Sequence, residues 1–211
     1  NLIIDLNTKT HKVEEYWNLK PVIPSNLSYK EAVEKVHDLF EDAVRIRLQS
    51  DVPFGSFLSG GIDSALVTSL ASKISKDKIK TFSIGFEDPK FDESKIAAKY
   101  AEILGTEHKE TICEPKDILE MLPTLLKVYD EPFADSSALP SLLLNKITKQ
   151  DVTVALSGDG GDESFLGYNH FDLVKKFSYL LYIPYLFRHL ISMLIPKFIF
   201  KNRTELLKIL L

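Results

Sequence analysis

Four short apolar runs, spaced by stretches of helical periodicity, set the first outline of the chain. Phe54–Leu58, Thr81–Phe86, Glu107–Ile112 and Val152–Leu156 read as strands. The last of them, Val-Thr-Val-Ala-Leu, is nearly all apolar, as parallel strands covered on both faces are. Between the runs, apolar residues recur three and four positions apart, which marks one buried face of a helix. Leu66, Val67, Leu70 and Ile74 supply such a face after the first strand. Ile96, Ala97, Tyr100, Ala101 and Leu104 supply a second within Asp92–Leu104, and Gly105 stops it. Residues 115–127 and 138–149 read as two further helices. Upstream, Ser28-Tyr29-Lys30-Glu31 is a capping box, followed by Val33, Val36, Phe40, Ala43 and Val44 at helical spacing to about Leu48. Arg45 and Arg47 suit the C-terminal end of that helix. Leu2–Leu6 reads as a strand with no preceding partner, and Pro21 and Pro24 break any helix in the connector behind it.

Strands alternating with helices predict an α/β fold with a parallel, Rossmann-like sheet and helices on both faces. In such sheets a ligand binds beyond the carboxyl ends of the strands, where the strand order reverses. The first and fourth strands both end in a Ser-Gly turn. Strand order 3-2-1-4 makes those two strands neighbours and brings both turns to one crevice.

The first turn reads Ser59-Gly60-Gly61-Ile62-Asp63-Ser64. Adjacent glycines bring backbone N–H groups close to an anion without Cβ interference. The helix that follows presents its positive end and free amides to the same point. The stretch therefore fits a phosphate cradle, and it also fits an ordinary strand-to-helix turn. No Gly-Lys-Ser/Thr follows, and the Gly-x-Gly-x-x-Gly spacing is absent, so neither common nucleotide loop applies. Asp63 stands where those loops carry no acid, which points to a magnesium-bridged pyrophosphate.

The second turn, Ser157-Gly158-Asp159-Gly160-Gly161-Asp162-Glu163, interleaves carboxylates with glycines. Alone it also suits a solvated turn at a helix start, where negative charge is welcome. Paired with the first turn, it lets Asp63 and Asp162 share a hard cation, which takes oxygen ligands and neutralises the pyrophosphate leaving group of ATP. Asp159 lies nearer the strand end, placed to meet an amine or an activated substrate.

Composition narrows the classes without choosing among them. The 211 residues carry a net charge of −4, which argues against a general nucleic-acid binder or a basic membrane-surface protein. Cys113 is the only cysteine, so no intrachain disulfide or thiolate metal cluster can form, and a reducing, cytoplasmic setting is the simplest reading. The five histidines are scattered without metal-ligand spacing.

Taken together, several motifs in order carry a specific resemblance. Ser59–Ser64 is similar to the pyrophosphate loop of the N-type ATP pyrophosphatases. With Phe91-Asp92-Glu93-Ser94, Leu104-Gly105-Thr106-Glu107-His108, Tyr129–Ser137 and Ser157–Glu163, the chain resembles the synthetase domain of glutamine-hydrolysing asparagine synthetases from about Tyr16 to Tyr168. The resemblance implies an adenine nucleotide alpha hydrolase-like fold and an adenylation reaction. ATP activates the aspartate side chain as an acyl-adenylate, pyrophosphate leaves, and ammonia displaces AMP. Carried over by position, Ser59, Gly60, Gly61, Asp63 and Ser64 hold the pyrophosphate end. Phe57, Ile84, Ser157 and Gly158 contact the AMP portion, largely through backbone. Asp63 and Asp162 meet Mg2+, and Asp159 stands at the reacting centre.

The resemblance also has departures. The family's glutaminase domain, with its N-terminal catalytic cysteine, has no counterpart, and Cys113 lies too deep in the α/β pattern to replace it. No motif matches the family's downstream active-site lysine. Where the family has Leu-Phe-Gly-Gly-Tyr, this chain has Ser164-Phe165-Leu166-Gly167-Tyr168, with Leu166 in place of a glycine.

Phe177–Phe200 is long and apolar, but Arg188, His189 and Lys197 and the prolines 184 and 196 interrupt it, so it reads as helices that pack on further protein rather than a membrane span. Left uncovered, such a tail promotes homo-oligomers. The organisation expected is a connector at 1–27, an ATP pyrophosphatase-type domain at 28–170 and the start of a helical portion at 171–211, all cut from a longer chain. The leading function is amide synthesis from a small carboxylate, aspartate first, and ammonia. The alternatives are another acid, such as a sugar acid, at the same adenylating site, or a nucleotide-binding segment without catalysis.

Overall fold

The computed structural model describes residues 1–18, 23–131, 133–178, 182–185 and 187. Pro21, Pro132 and the tail from residue 188 onward, with the expectations placed on them, lie outside the described residues. The chain forms two compact units, Asn1–Phe40 and Glu41–Leu211.

In the first unit, β1 (Leu2–Asp5) pairs antiparallel with β2 (Thr10–Val13). The expected strand therefore has a partner, which follows it in the chain. Asp5 builds the turn: its Oδ1 accepts the Asn7 N–H at 2.8 Å and the Thr8 N–H at 3.1 Å. Those bonds, Thr8's first, hold the Asp5 carboxyl below its ordinary value. The capping box forms as read, with the Ser28 N–H and hydroxyl donating to Glu31 Oε2 at 2.8 and 2.6 Å. It opens α1 (Tyr29–Arg47), where Val44 is buried but Val33 and Val36 of the expected apolar face are exposed.

The second unit holds the sheet. Its strands are β3 (Phe54–Phe57), β4 (Lys80–Phe86), β5 (Glu107–Cys113) and β6 (Val154–Leu156). They are all parallel, in the order β5-β4-β3-β6. This is the expected 3-2-1-4 order, and the switch point lies between β3 and β6. The connections are α2 (Ile62–Ile74), α3 (Ser94–Leu104), and the pair α4 (Pro115–Val128) and α5 (Ala138–Thr148). Among the described residues two short helices follow the sheet, α6 (Gly161–Phe165) and α7 (Asn169–Phe177). Among the described residues no helix is long and apolar enough to cross a membrane.

The two sheet faces have different chemistry. On one, Ile84, Phe86 and Cys113 pack with Met121, Leu139 and Leu143 of α4 and α5. Burial there pushes the Cys113 thiol up, with Asp117 adding to the effect. On the other face, Leu58 packs with Ala97 and Ala101 of α3. Polar pairs complete that side: Ser56 and Thr68 hydroxyls lie 2.9 Å apart, both fully buried. His108 lies between Thr81 Oγ1, 3.0 Å from Nδ1, and Ser83 Oγ, 3.2 Å from Nε2. Burial drives its pKa down, against the opposing pull of Glu110. These satisfied pairs suit small residues at positions where helix and sheet approach closely.

Two details of the pattern fail. Leu66 is 41 % exposed, because the buried stripe of α2 keeps Val67 and Leu70 of the expected face but adds Ser64, Thr68 and Ala71 in place of Leu66. Val154 is 42 % exposed, and among the described residues β6 ends the sheet order with a neighbour on one side only.

Candidate functional site

The carboxyl ends of β3 and β6 carry the two Ser-Gly turns, side by side. After Phe57 the sheet continues for one more bond, Leu58 N–H to the Phe82 carbonyl at 2.9 Å, and the chain then turns into α2. Hydroxyls brace that turn from within. Ser64 Oγ accepts the Ser59 N–H at 3.1 Å, lies 2.9 Å from Ser59 Oγ, and donates to the Gly61 carbonyl at 3.1 Å. Ser59 Oγ accepts the Gly61 N–H at 3.1 Å. One proton arrangement satisfies all four contacts, with the Ser59 hydroxyl donating to Ser64. Gly61 caps α2 without any side-chain bond, so the first-turn amides keep their anion-binding character.

The second turn meets the first through its glycines. A Cβ on Gly158 would lie 2.6 Å from the Ser64 nitrogen and 2.9 Å from the Asp63 carbonyl carbon. A Cβ on Gly161 would lie 2.4 Å from the Asp63 carboxyl group. The side chain of Asp63 is thus packed against Gly161 at the start of α6, the residue before Asp162 in the chain. Asp162 itself turns back towards Gly167, where a Cβ would fall 1.9 Å from its Oδ1. The Ser157 hydroxyl donates to Asp159 Oδ2 at 2.9 Å and fixes that carboxylate at the turn. Beyond α6, Tyr168 Oη donates to Glu163 Oε1 at 2.5 Å, which lowers the Glu163 pKa and pushes the Tyr168 phenol up to about 12.

Of the residues read from the sequence, the structure brings Ser59–Ser64 together with Gly158. Asp159 and Asp162 lie on that second turn and the helix it opens. Phe57 closes β3 at the same end, half-buried. Ile84 behaves differently: its side chain packs into the core beside Cys113, Met121 and Leu143. The Tyr129–Ser137 stretch, apart from residue 132, is a loop in which the Tyr129 and Phe133 rings stack at 4.4 Å. There Asp135 Oδ1 accepts the Ser137 N–H at 2.8 Å. Gly161 and Glu93 carry no signal of their own in the sequence beyond the motifs that contain them. Gly161 is required by the Asp63 contact, and Glu93 reaches the first turn, with its carboxylate on the Gly60 N–H. The Phe-Asp-Glu-Ser motif was the available signal for Glu93, but nothing in its spacing says which turn it faces.

The donor chemistry fits a magnesium ion in one way only. Asp63 and Asp162 are hard oxygen donors, but among the described residues no group of three or more His, Cys, Asp or Glu could hold a metal. Two carboxylates suffice for a cation that takes its remaining ligands from phosphate oxygens and water, and not for an all-protein cage.

Leu166 has φ 59° and ψ 39°, the left-handed region, at the C-cap of α6. A leucine there carries a steric penalty that glycine escapes, about 1–2 kcal/mol. Its side chain is 65 % exposed, so little burial is lost on removal. Leu166→Gly should therefore stabilise the chain by about 1 kcal/mol after the entropy gained by the unfolded chain, a rise of roughly 2–4 °C in Tm. A thermal melt that stays put or falls would contradict the strain.

Comparison with known proteins gives a consistent neighbourhood. The profile of the asparagine synthase family matches residues 35–208. An asparagine synthetase (glutamine-hydrolysing) from Bacillus subtilis is 42% identical over 152 residues, 72% of this chain and 23% of its own length. A putative glutamine-hydrolysing asparagine synthetase from Methanocaldococcus jannaschii is 40% identical over 172 residues, 80% of this chain and 32% of its own. The chain thus spans less than a third of the length of these curated relatives. A solved glutamine-dependent NAD+ synthetase from Acinetobacter baumannii overlaps more loosely, at 21% identity and a TM-score of 0.46, over 79% of this chain and 31% of that one.

Proposed function

The chain belongs to the asparagine synthase family, and from that premise we propose that the crevice between its two glycine turns binds ATP and activates a carboxylate by adenylation. The observation that carries the reading is the contact of Gly158 and Gly161 with Ser64 and Asp63, which makes one site of two turns a hundred residues apart. A carboxylate resists attack by an amine because its leaving group is poor. In the proposed reaction a carboxylate oxygen attacks the α-phosphorus of ATP, the bond to the bridging oxygen breaks, and pyrophosphate departs with that electron pair. Ammonia then attacks the acyl carbon, loses a proton, and AMP leaves with the acyl–oxygen electron pair.

The residues serve these steps by position and charge. The amides at the start of α2 receive the pyrophosphate end, and Ser59 and Ser64 keep the turn in shape for it. Phe57, Ser157 and Gly158 line the AMP side in this reading, and Ile84, whose side chain is in the core, contributes there through its backbone alone. Asp63 and Asp162 would hold magnesium, which supplies charge neutralisation for the departing pyrophosphate. Asp159, held by Ser157, faces the reacting centre. The acid is aspartate and the ammonia comes from glutamine in the whole protein, acting in the cytoplasm; residues 1–27 are then the connector and 28–170 the adenylating domain.

The test is carboxylate-dependent exchange of labelled pyrophosphate into ATP, run on this chain and on the protein that contains it. Exchange that requires aspartate supports the reading. Exchange that requires a different acid keeps the adenylating site and changes the substrate. ATP binding without exchange in either protein would reduce the site to nucleotide binding alone.

A further inference from the structure

The amides of the first turn are not all held from within. Those of Ser59 and Gly61 bond to hydroxyls of the turn itself, but the Gly60 N–H donates to Glu93 Oε2 at 3.1 Å, from 33 residues further on. The packing is close as well: a Cβ on Gly60 would lie 3.1 Å from Glu93 Cβ and 3.2 Å from its Oε2. Glu93 is delivered there by a pinned connection. Asp92 Oδ1 accepts the Ser94 N–H at 3.1 Å and the Phe86 N–H at 3.3 Å, which fixes the path from β4 into α3. Glu93 is the N-cap of α3 but caps nothing with its side chain. Among the described residues it has no ion-pair partner. A full negative charge is therefore seated on the one backbone amide of the glycine turn that the turn leaves to an outside acceptor.

We infer that Glu93 is a resident anion of this turn, a specificity-determining residue that a pyrophosphate group must displace from the Gly60 amide. The inference rests on the ATP reading above and adds to it a selection among anions. A tethered carboxylate competes at high effective concentration with any anion that approaches Gly60. It also repels free pyrophosphate and orthophosphate by charge. Pyrophosphate already complexed with magnesium carries less charge and feels that repulsion less. Glu93 thus makes the turn select the metal complex over the bare anion.

The experiment is calorimetric titration of inorganic pyrophosphate, with magnesium and with EDTA, into the wild-type chain and into Glu93→Gln and Glu93→Ala. Adenosine serves as a ligand that lacks phosphate, and ATP as a check on the site. Both substitutions should tighten bare pyrophosphate by about tenfold, from the loss of one competing charge-assisted bond and its repulsion. The magnesium complex should tighten by only about two- to threefold, and adenosine affinity should stay constant. A general structural effect would move adenosine as well. If ATP binds but neither substitution tightens bare pyrophosphate, or if both weaken the magnesium complex, Glu93 is not a resident anion and the inference fails alone. If neither ATP nor pyrophosphate binds any of the three proteins, the ATP reading fails and takes the inference with it.

Discussion

Gly158→Ala is expected to lower the affinity for magnesium-ATP by about a hundredfold, the scale on which displacing site groups by an ångström acts. The added methyl would sit 2.6 Å from the Ser64 nitrogen, 2.9 Å from the Asp63 carbonyl carbon and 3.0 Å from Asp63 Cβ. The first two are backbone atoms at the start of α2, which cannot rotate away as a long side chain can. The second turn must therefore retreat from the first, opening the crevice at the point where the two strands' ends meet. Overpacking of this kind costs roughly 1–3 kcal/mol of stability. Circular dichroism should show the same helix content, since no helix interior is touched. Calorimetry with magnesium-ATP measures the affinity. A Gly158→Ala chain that binds ATP like the wild type would mean that the contact between turns does not shape the nucleotide site.

Asp63→Ala should abolish the magnesium dependence of ATP binding. In the wild type, affinity with magnesium should exceed affinity in EDTA by about 10- to 100-fold, the range over which groups supporting a metal act. In the variant the two values should coincide. The carboxylate lies against Gly161, adjacent to Asp162, so its loss leaves one acid where the proposed site uses two. Some loss of helix stability will accompany it, about 0.3–1 kcal/mol, because a negative charge is removed from the first turn of α2. That loss acts on both conditions equally and does not enter the comparison. Magnesium dependence that survives the substitution would remove Asp63 from the metal site.

Much of this arrangement is legible in the sequence because the two turns punctuate it strongly. Ser59-Gly60-Gly61 and Ser157-Gly158 each follow an apolar run, and parallel α/β sheets bind at the carboxyl ends of strands beside a switch point. The order of the four core strands follows from requiring both turns at one crevice, and β5-β4-β3-β6 is that order. The helix ends were equally readable: Gly105 adopts φ 66° as the stop of α3, and Ser28 with Glu31 starts α1.

What escaped reading depends on contacts between distant segments. Thr10–Val13 shows no alternation because β2 is exposed along its whole length, so no core face imprints a period on it. The apolar content of Val152–Leu156 suggests a covered strand, but its place at the end of the sheet order among the described residues is decided by topology, not by composition. Leu66 fits a helical period yet points outward, since Thr68 and Ser64 take the inward positions through hydroxyl bonds to Ser56 and Ser59. Glu93 was recognisable only as part of a motif. Its reach across to Gly60 comes from the way Asp92 pins the chain, which no linear spacing records.

Amide NMR of the 15N-labelled chain titrated with magnesium-ATP decides whether both turns form one nucleotide site. If they do, amides of Ser59–Ser64 and of Ser157–Asp162 shift together along one binding curve, while His108 and Lys109 near the opposite end of the sheet stay in place. Shifts confined to one turn, or gathered at the far end of the strands, would contradict it.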